Sequence, residues 1–265
     1  MKTGILFAAS AVNNEETLTA LSAVGRLAAG RAWGHDVRWG SMTPPRGGVS
    51  AGGIQPVLFP LALQQMKRDG FTHVAIQPLQ VVSGAEFEKL QAAVEQSRHA
   101  SEGVPRVAVG APLLECYADL ERVAQALLAA LSGTREPGDA VILIGHGSTG
   151  LTADLAYPTA AWALGSMDRL AFLGCVNGSP DMADVLRRCR EAKVKRALLL
   201  PFTLAAGSTV RAALAKTGTQ SWVAALASEG IEGIPILKGL GENDAVAEIW
   251  LDHLEAALKS LVETP

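Results

Sequence analysis

Short, nearly unbroken apolar runs alternate along this chain with longer stretches whose apolar positions recur every three or four residues. The first kind suits strands buried on both faces of a parallel sheet, the second helices lying on such a sheet. Residues 2–9 read as the first strand, and a helix follows over 14–29, with Asn13 or Asn14 placed to cap it and Gly30 to close it. A short strand over 35–40 leads into residues 41–53, whose two prolines and four glycines mark a loop able to carry ligand contacts. A helix over 55–69, a strand over 72–79, a helix over 85–97, a strand over 106–110 and a helix over 116–131 complete the first half. Residues 134–138, Thr-Arg-Glu-Pro-Gly, read as a linker, and the alternation then restarts. Strands are expected over 139–145, 170–176, 195–201 and 234–238. Helices are expected over 153–166 (broken or begun at Pro158), 181–192, 210–216, 220–229 and 243–262. This order predicts α/β lobes, each with a parallel sheet and right-handed crossovers, over residues 1–135 and 136–265. The last helix is expected to pack back on the N-terminal lobe.

The strand over 139–145 is distinguished by how it ends. Ala140 to Ile144 carry no charge and run straight into Gly145-His146-Gly147-Ser148, and the carboxyl ends of strands are where open α/β sheets bind ligands. The two flanking glycines leave the imidazole open to a flat or bulky partner. An incidental histidine in a tight strand-to-helix turn is the plainer alternative. The same kind of strand end recurs. Residues 73–78, ending in Pro78 and followed by Gly84 and Glu86, share a register with residues 196–201, ending in Pro201 and followed by Gly207 and Thr209. Phe7-Ala8-Ala9-Ser10 falls where Gly145-His146-Gly147-Ser148 falls, so the halves read as an internal repeat, two similar lobes facing across a cleft.

Composition narrows the function classes. Acidic residues exceed basic ones, 26 against 23, with no basic block, which argues against nucleic acid and anionic membrane as partners. Apolar residues make up 49% and aromatics 5%, the balance of Ala, Leu and Val that suits helices packed on parallel strands. No apolar run approaches the roughly 18 residues that span a bilayer. The amino-terminal apolar run is short and is followed at once by Asn13, Asn14, Glu15 and Glu16, so it reads as a strand rather than a signal peptide. Cys116, Cys175 and Cys189 are odd in number and widely spaced, which indicates neither a disulfide framework nor a cysteine zinc site and fits a reducing cytoplasm.

Each candidate has a structural alternative. His146 is suited to work as a general base or metal ligand, because neutral imidazole does both near neutral pH. Ser148 does not make a nucleophile elbow, which needs Gly-x-Ser-x-Gly where this chain has His146. Residues 199–208 lack the lysine and glycine pattern of a phosphate loop. Asn177 could bond a ligand or simply make an Asn-Gly turn. Thr209 could serve a ligand or cap a helix. Glu86 and Glu88 have the placing of first-turn acids that offset a helix dipole.

Several of these stretches together resemble the anaerobic cobaltochelatase family of cobalamin biosynthesis, class II chelatases related to ferrochelatase. They are Val74 to Leu79 with Gly84 to Lys89, Gly110 to Leu114, Gly145-His146-Gly147-Ser148, Leu200 to Gly207 and Gly239 to Asn243, in the family's order. The resemblance implies two flavodoxin-like lobes with a tetrapyrrole cleft between them, and insertion of a divalent metal into sirohydrochlorin or a close relative without ATP. Co²⁺ is the first expectation, with Fe²⁺ and Ni²⁺ as others; the metal is a substrate, and no tightly bound cofactor is implied. The family's metal site resembles a His, a Glu and a second His at three strand ends. Position by position, the first falls on His146, while Asn177 stands for the Glu and Thr209 for the second His. Ser10, Gln80, Glu86, Ser148 and Cys175 are the implied substrate contacts. An amide and a hydroxyl are weak ligands beside carboxylate and imidazole, so an impaired chelatase is expected, the alternative being a non-catalytic tetrapyrrole- or haem-binding carrier or sensor. A homo-oligomer in the cytoplasm completes the expectation.

Overall fold

The structure is a computed structural model that describes residues 2–31, 33–45, 53–99, 106–147, 151–215, 217–218 and 221–263. Its elements are β1 (Thr3–Ala9), α1 (Glu15–Gly30), β2 (Asp36–Ser41), β3 (Val57–Leu58), α2 (Phe59–Arg68), β4 (His73–Pro78), α3 (Ala85–His99), β5 (Arg106–Val109), α4 (Tyr117–Ala130), β6 (Ala140–Gly145), α5 (Leu151–Met167), β7 (Ala171–Cys175), α6 (Met182–Glu191), β8 (Arg196–Pro201), α7 (Ser208–Leu214), α8 (Trp222–Ser228), β9 (Glu232–Pro235) and α9 (Asp244–Glu263). They form two compact units. One comprises residues 1–115 and 247–265, the other residues 116–246.

The first unit is built on a parallel sheet in the order β3-β2-β1-β4-β5. β1 and β4 are buried along almost their whole length, as apolar runs without alternation require of central strands. Leu6, Val74 and Ile76 from the sheet meet Phe59, Leu63 and Met66 of α2 in one core. Helix α1 starts where its cap dictates, the Asn14 carboxamide oxygen accepting the Thr17 N–H at 2.8 Å. The closing helix belongs to this unit. Trp250, Leu251 and Leu254 of α9 are fully buried, and the Trp250 indole donates to the Gln80 carbonyl at 3.2 Å. Arg31, just past α1, reaches Asp252 at 2.7 Å and Glu255 at 3.1 Å and also pairs with Glu248, three acids one helical turn apart on α9.

The second unit carries a parallel sheet in the order β7-β6-β8-β9. Ile142, Ile144, Phe172 and Leu199 on one face pack against Val185 of α6 and Trp222 of α8. Gly174 makes room for the indole: a Cβ there would lie 2.3 Å from the Trp222 ring.

Three details differ from expectation. The helix expected over 55–69 begins at Phe59, preceded by the two-residue strand β3, because Pro60 sits in the first turn, where a missing N–H costs nothing. The first unit's opening segment ends at Glu115, so residues 116–135 group with the second unit rather than the first. Helix α4 packs on α5, and the Asn243 side chain donates to the Ala126 carbonyl at 3.3 Å. The repeat is also offset. β1 pairs Ala8 with Pro78 and β6 pairs Ile144 with Pro201, so Ser10, not Ala8, stands at the position of His146.

Candidate functional site

In each sheet the chain reverses its direction of winding between the two central strands, β1 and β4 in the first unit and β6 and β8 in the second. Loops leaving the carboxyl ends of such a pair diverge and leave a crevice, the place where open α/β sheets take ligands. His146 directly follows β6, whose every residue is buried, and is itself exposed.

The imidazole is set by the turn on which it stands. Gly147 has φ +76°, and a Cβ on it would lie 1.5 Å from the Asn177 carbonyl oxygen, so only glycine fits. The strand β7 supplies the other side of the clamp. Val176 N–H donates to the Gly145 carbonyl at 3.0 Å and Asn177 N–H to the His146 carbonyl at 3.1 Å. The Asn177 carboxamide nitrogen then lies 3.4 Å from His146 Nδ1 and 3.4 Å from its carbonyl oxygen. Below the turn is Tyr157 of α5, 5% exposed, whose Cε1 would be 2.7 Å from a Cβ on Gly145. Burial pushes its phenol above the ordinary range.

The other candidates divide. Thr209 is the second residue of α7, half-buried, after the strand that pairs with β6; the hydrogen bonds of the described residues join His146 to Asn177 and not to Thr209. Cys175 is the last residue of β7, opposite Gly145. It is 2% exposed and burial pushes its thiol up to about 12, so it is a packed wall of the turn and not a presented contact, contrary to its expected part in substrate binding. Ser148 lies outside the described residues. Among the described residues no three His, Cys, Asp or Glu side chains gather as a metal site.

The first unit carries its own polar pair at the β1/β4 crevice. Gln80 lies two residues past β4, and its side-chain nitrogen donates to the Ser10 hydroxyl at 3.4 Å. Its carboxamide oxygen is buried and has no hydrogen-bond partner, an acceptor left open at the carboxyl end of the sheet. Glu86, the second residue of α3, is ion-paired with Lys89 at 2.6 Å. Thr209 occupies the corresponding place in α7, so the register expected between these two residues is present in the helices.

Sequence reasoning missed Tyr157. Nothing in its spacing ties it to His146; the signal was the bare Gly145, which implies a close neighbour without naming it.

The family model described as Cobalt chelatase (CbiK) matches residues 51–259. The sirohydrochlorin cobaltochelatase CbiKC of Nitratidesulfovibrio vulgaris is 34% identical over 261 residues, 98% of this chain and 92% of that protein. The sirohydrochlorin cobaltochelatase of Salmonella typhimurium is 31% identical over 202 residues, 76% of this chain and 75% of that protein. SirB from Bacillus subtilis with Fe³⁺ superposes with TM-score 0.72 at 16% identity, covering 99% of this chain and 98% of that one. CbiX, the terminal enzyme of sirohaem biosynthesis in denitrifying bacteria, gives 0.63 at 19% identity over 96% and 99% of the chains. These solved structures share the fold, and the match across most of the sequence shows that the chain belongs to the cobalt chelatase (CbiK) family.

Proposed function

We propose that the protein inserts a divalent metal, Co²⁺ first and Fe²⁺ or Ni²⁺ as competitors, into sirohydrochlorin without ATP, and that His146 accepts a pyrrole N–H proton as the metal enters. Two protons must leave the macrocycle for each metal bound, and His146 is the exposed base at the crevice of the second sheet. That exposure carries the reading. For Nε2 to take a proton, Nδ1 must hold one, which requires Asn177 to present its carboxamide oxygen toward Nδ1; rotating the amide by half a turn does this without moving its carbon frame. Ser10 and Gln80 are proposed contacts for the acid side chains of the macrocycle, the open Gln80 oxygen taking an O–H donor.

Anaerobic incubation with sirohydrochlorin and Co²⁺, followed by absorbance, tests this. His146→Ala should lower turnover about a hundredfold, the usual contribution of a positioned base; unchanged turnover sinks the mechanism.

A second reading is a non-catalytic tetrapyrrole-binding carrier or sensor. It is favoured by Asn177 and Thr209 standing where carboxylate and imidazole are implied, and by the absence of a three-ligand group among the described residues. Its test is a spectral titration with haem and with sirohydrochlorin, where no shift at micromolar protein removes it. The substituted ligands have their own check. Asn177→Glu with Thr209→His should raise Co²⁺ affinity in calorimetry, since a carboxylate and an imidazole join His146; no gain argues against the assignment of those positions.

A further inference from the structure

Helix α5 turns a tryptophan outward. Trp162 is 70% exposed, whereas Trp39, Trp222 and Trp250 are buried, and Leu155, two turns earlier on the same face, is 62% exposed. Beside them α5 and α6 bound a groove of about 460 Å³, with Pro158 and Gly165 on one wall and Ser179, Pro180 and Asp184 on the other. Arg188 of α6 lies in it. Its guanidinium sits 5.0 Å above the Phe172 ring, and a Cβ on Gly165 would come within 2.9 Å of its terminal nitrogen, so the missing side chain leaves it room. No acid pairs with Arg188 among the described residues; Asp184, one turn earlier on α6, instead lies 3.7 Å from Arg187, a long surface contact. The patch thus holds an exposed indole, an unpaired cation and an exposed acid one helical turn from it, with a groove beside the indole. A face of that kind is complementary to itself: about a two-fold axis, the cation of each copy meets the acid of the other while each indole enters the other's groove. Tryptophan and arginine are also the residues that most often anchor interface centres. A small carboxylate would answer Arg188 alone and leave Trp162 and Leu155 in water. We propose that the outward face of α5 and α6 docks a second copy of this chain as a symmetric dimer, with Trp162 seated in the opposite groove and Arg188 paired with Asp184 of the partner subunit.

Sedimentation velocity on the full chain, from low to high micromolar protein, tests this, with tryptophan emission read alongside. A dimer should form as concentration rises, and emission should move to the blue as Trp162 leaves water. Trp162→Ala should weaken the dimer by about tenfold or more, leave the melting temperature unchanged and abolish the emission shift. Arg188→Asp and Asp184→Arg each set like charges opposite one another, so each variant alone should be monomeric. Mixed in equal amounts, the two variants should associate, because both contacts are then between opposite charges. Asp184→Arg leaves the stack on Phe172 untouched, which separates lost pairing from lost packing. The proposal is overturned by a chain that stays monomeric throughout, by a dimer indifferent to Trp162→Ala, or by charge-reversed chains that melt as the wild type does yet fail to associate on mixing.

Discussion

Gly147 is the residue on which the site is most sharply constrained. Placing an alanine in its left-handed conformation costs roughly 1–2 kcal/mol, and the new methyl would overlap the Asn177 carbonyl, so the β7–α6 turn must also move. Gly147→Ala should therefore lose more than about 2 kcal/mol in urea denaturation. Gly30→Ala is the control: it ends α1 with nothing within 4 Å of a new Cβ, and it should cost nothing. Equal losses in the two variants would refute the steric argument. His146 and Asn177 were legible in the sequence, because each closes a strand with glycine beside it and strand ends are where the side chains of such sheets become available. Cys175 looked equivalent by position, yet its side chain turns inward against Ser179. Tyr157 was illegible for a different reason: its ring meets Gly145 only after α5 folds back on the sheet.

At the scale of elements, the two ends of the second sheet are treated differently. The end opposite His146 is pinned by charge. Arg196, first residue of β8, binds the Asp139 carboxylate at 2.9 and 2.6 Å, just ahead of β6. Arg135 donates to the Asp139 carbonyl at 3.1 and 3.0 Å and pairs with Asp168, just ahead of β7. Three strands thus start from one network, while at the other end β6 runs into the glycine turn with His146 exposed. The Arg196 hydrogen bond holds the Asp139 carboxyl below the usual carboxylate range. A depressed folded pKa contributes stability that is fully present above the unfolded value of about 3.9 and is lost as pH falls through the folded one. Asp139→Asn should lower the melting temperature at pH 7 and flatten its decline below about pH 4. A melting curve that falls with acid as steeply as the wild type's would exclude Asp139 as a contributor. The alternation of helix and strand was legible throughout because the buried runs are long, whereas β3 was not: two residues are too few for any periodicity to register.

For the molecule as a whole, punctuation in the sequence and packing in the fold disagree about where one unit stops. Residues 134–138 look like a linker, yet the chain has already joined the second unit at Cys116, and the first unit recovers a helix from the far end of the sequence. The repeat was legible through its prolines and glycines, but its register was not, since Ala8 and Ile144 are matched by strand pairing and not by residue type. A discontinuous unit and a continuous one should behave differently when cut. Residues 116–246 contain all four strands of their sheet and the helices that cover it, so that fragment should fold alone and melt cooperatively. Residues 1–115 alone lack Trp250, Leu251 and Leu254, which are fully buried in the intact chain, and lack the acids that Arg31 binds. The apolar surface that α9 covers would face water at about 25 cal/mol per Å², and this fragment should show no cooperative transition by circular dichroism. Adding residues 247–265 as a separate peptide should restore one; a cooperative melt of 1–115 without the peptide would show that α9 is an accessory to the first unit and not part of its core.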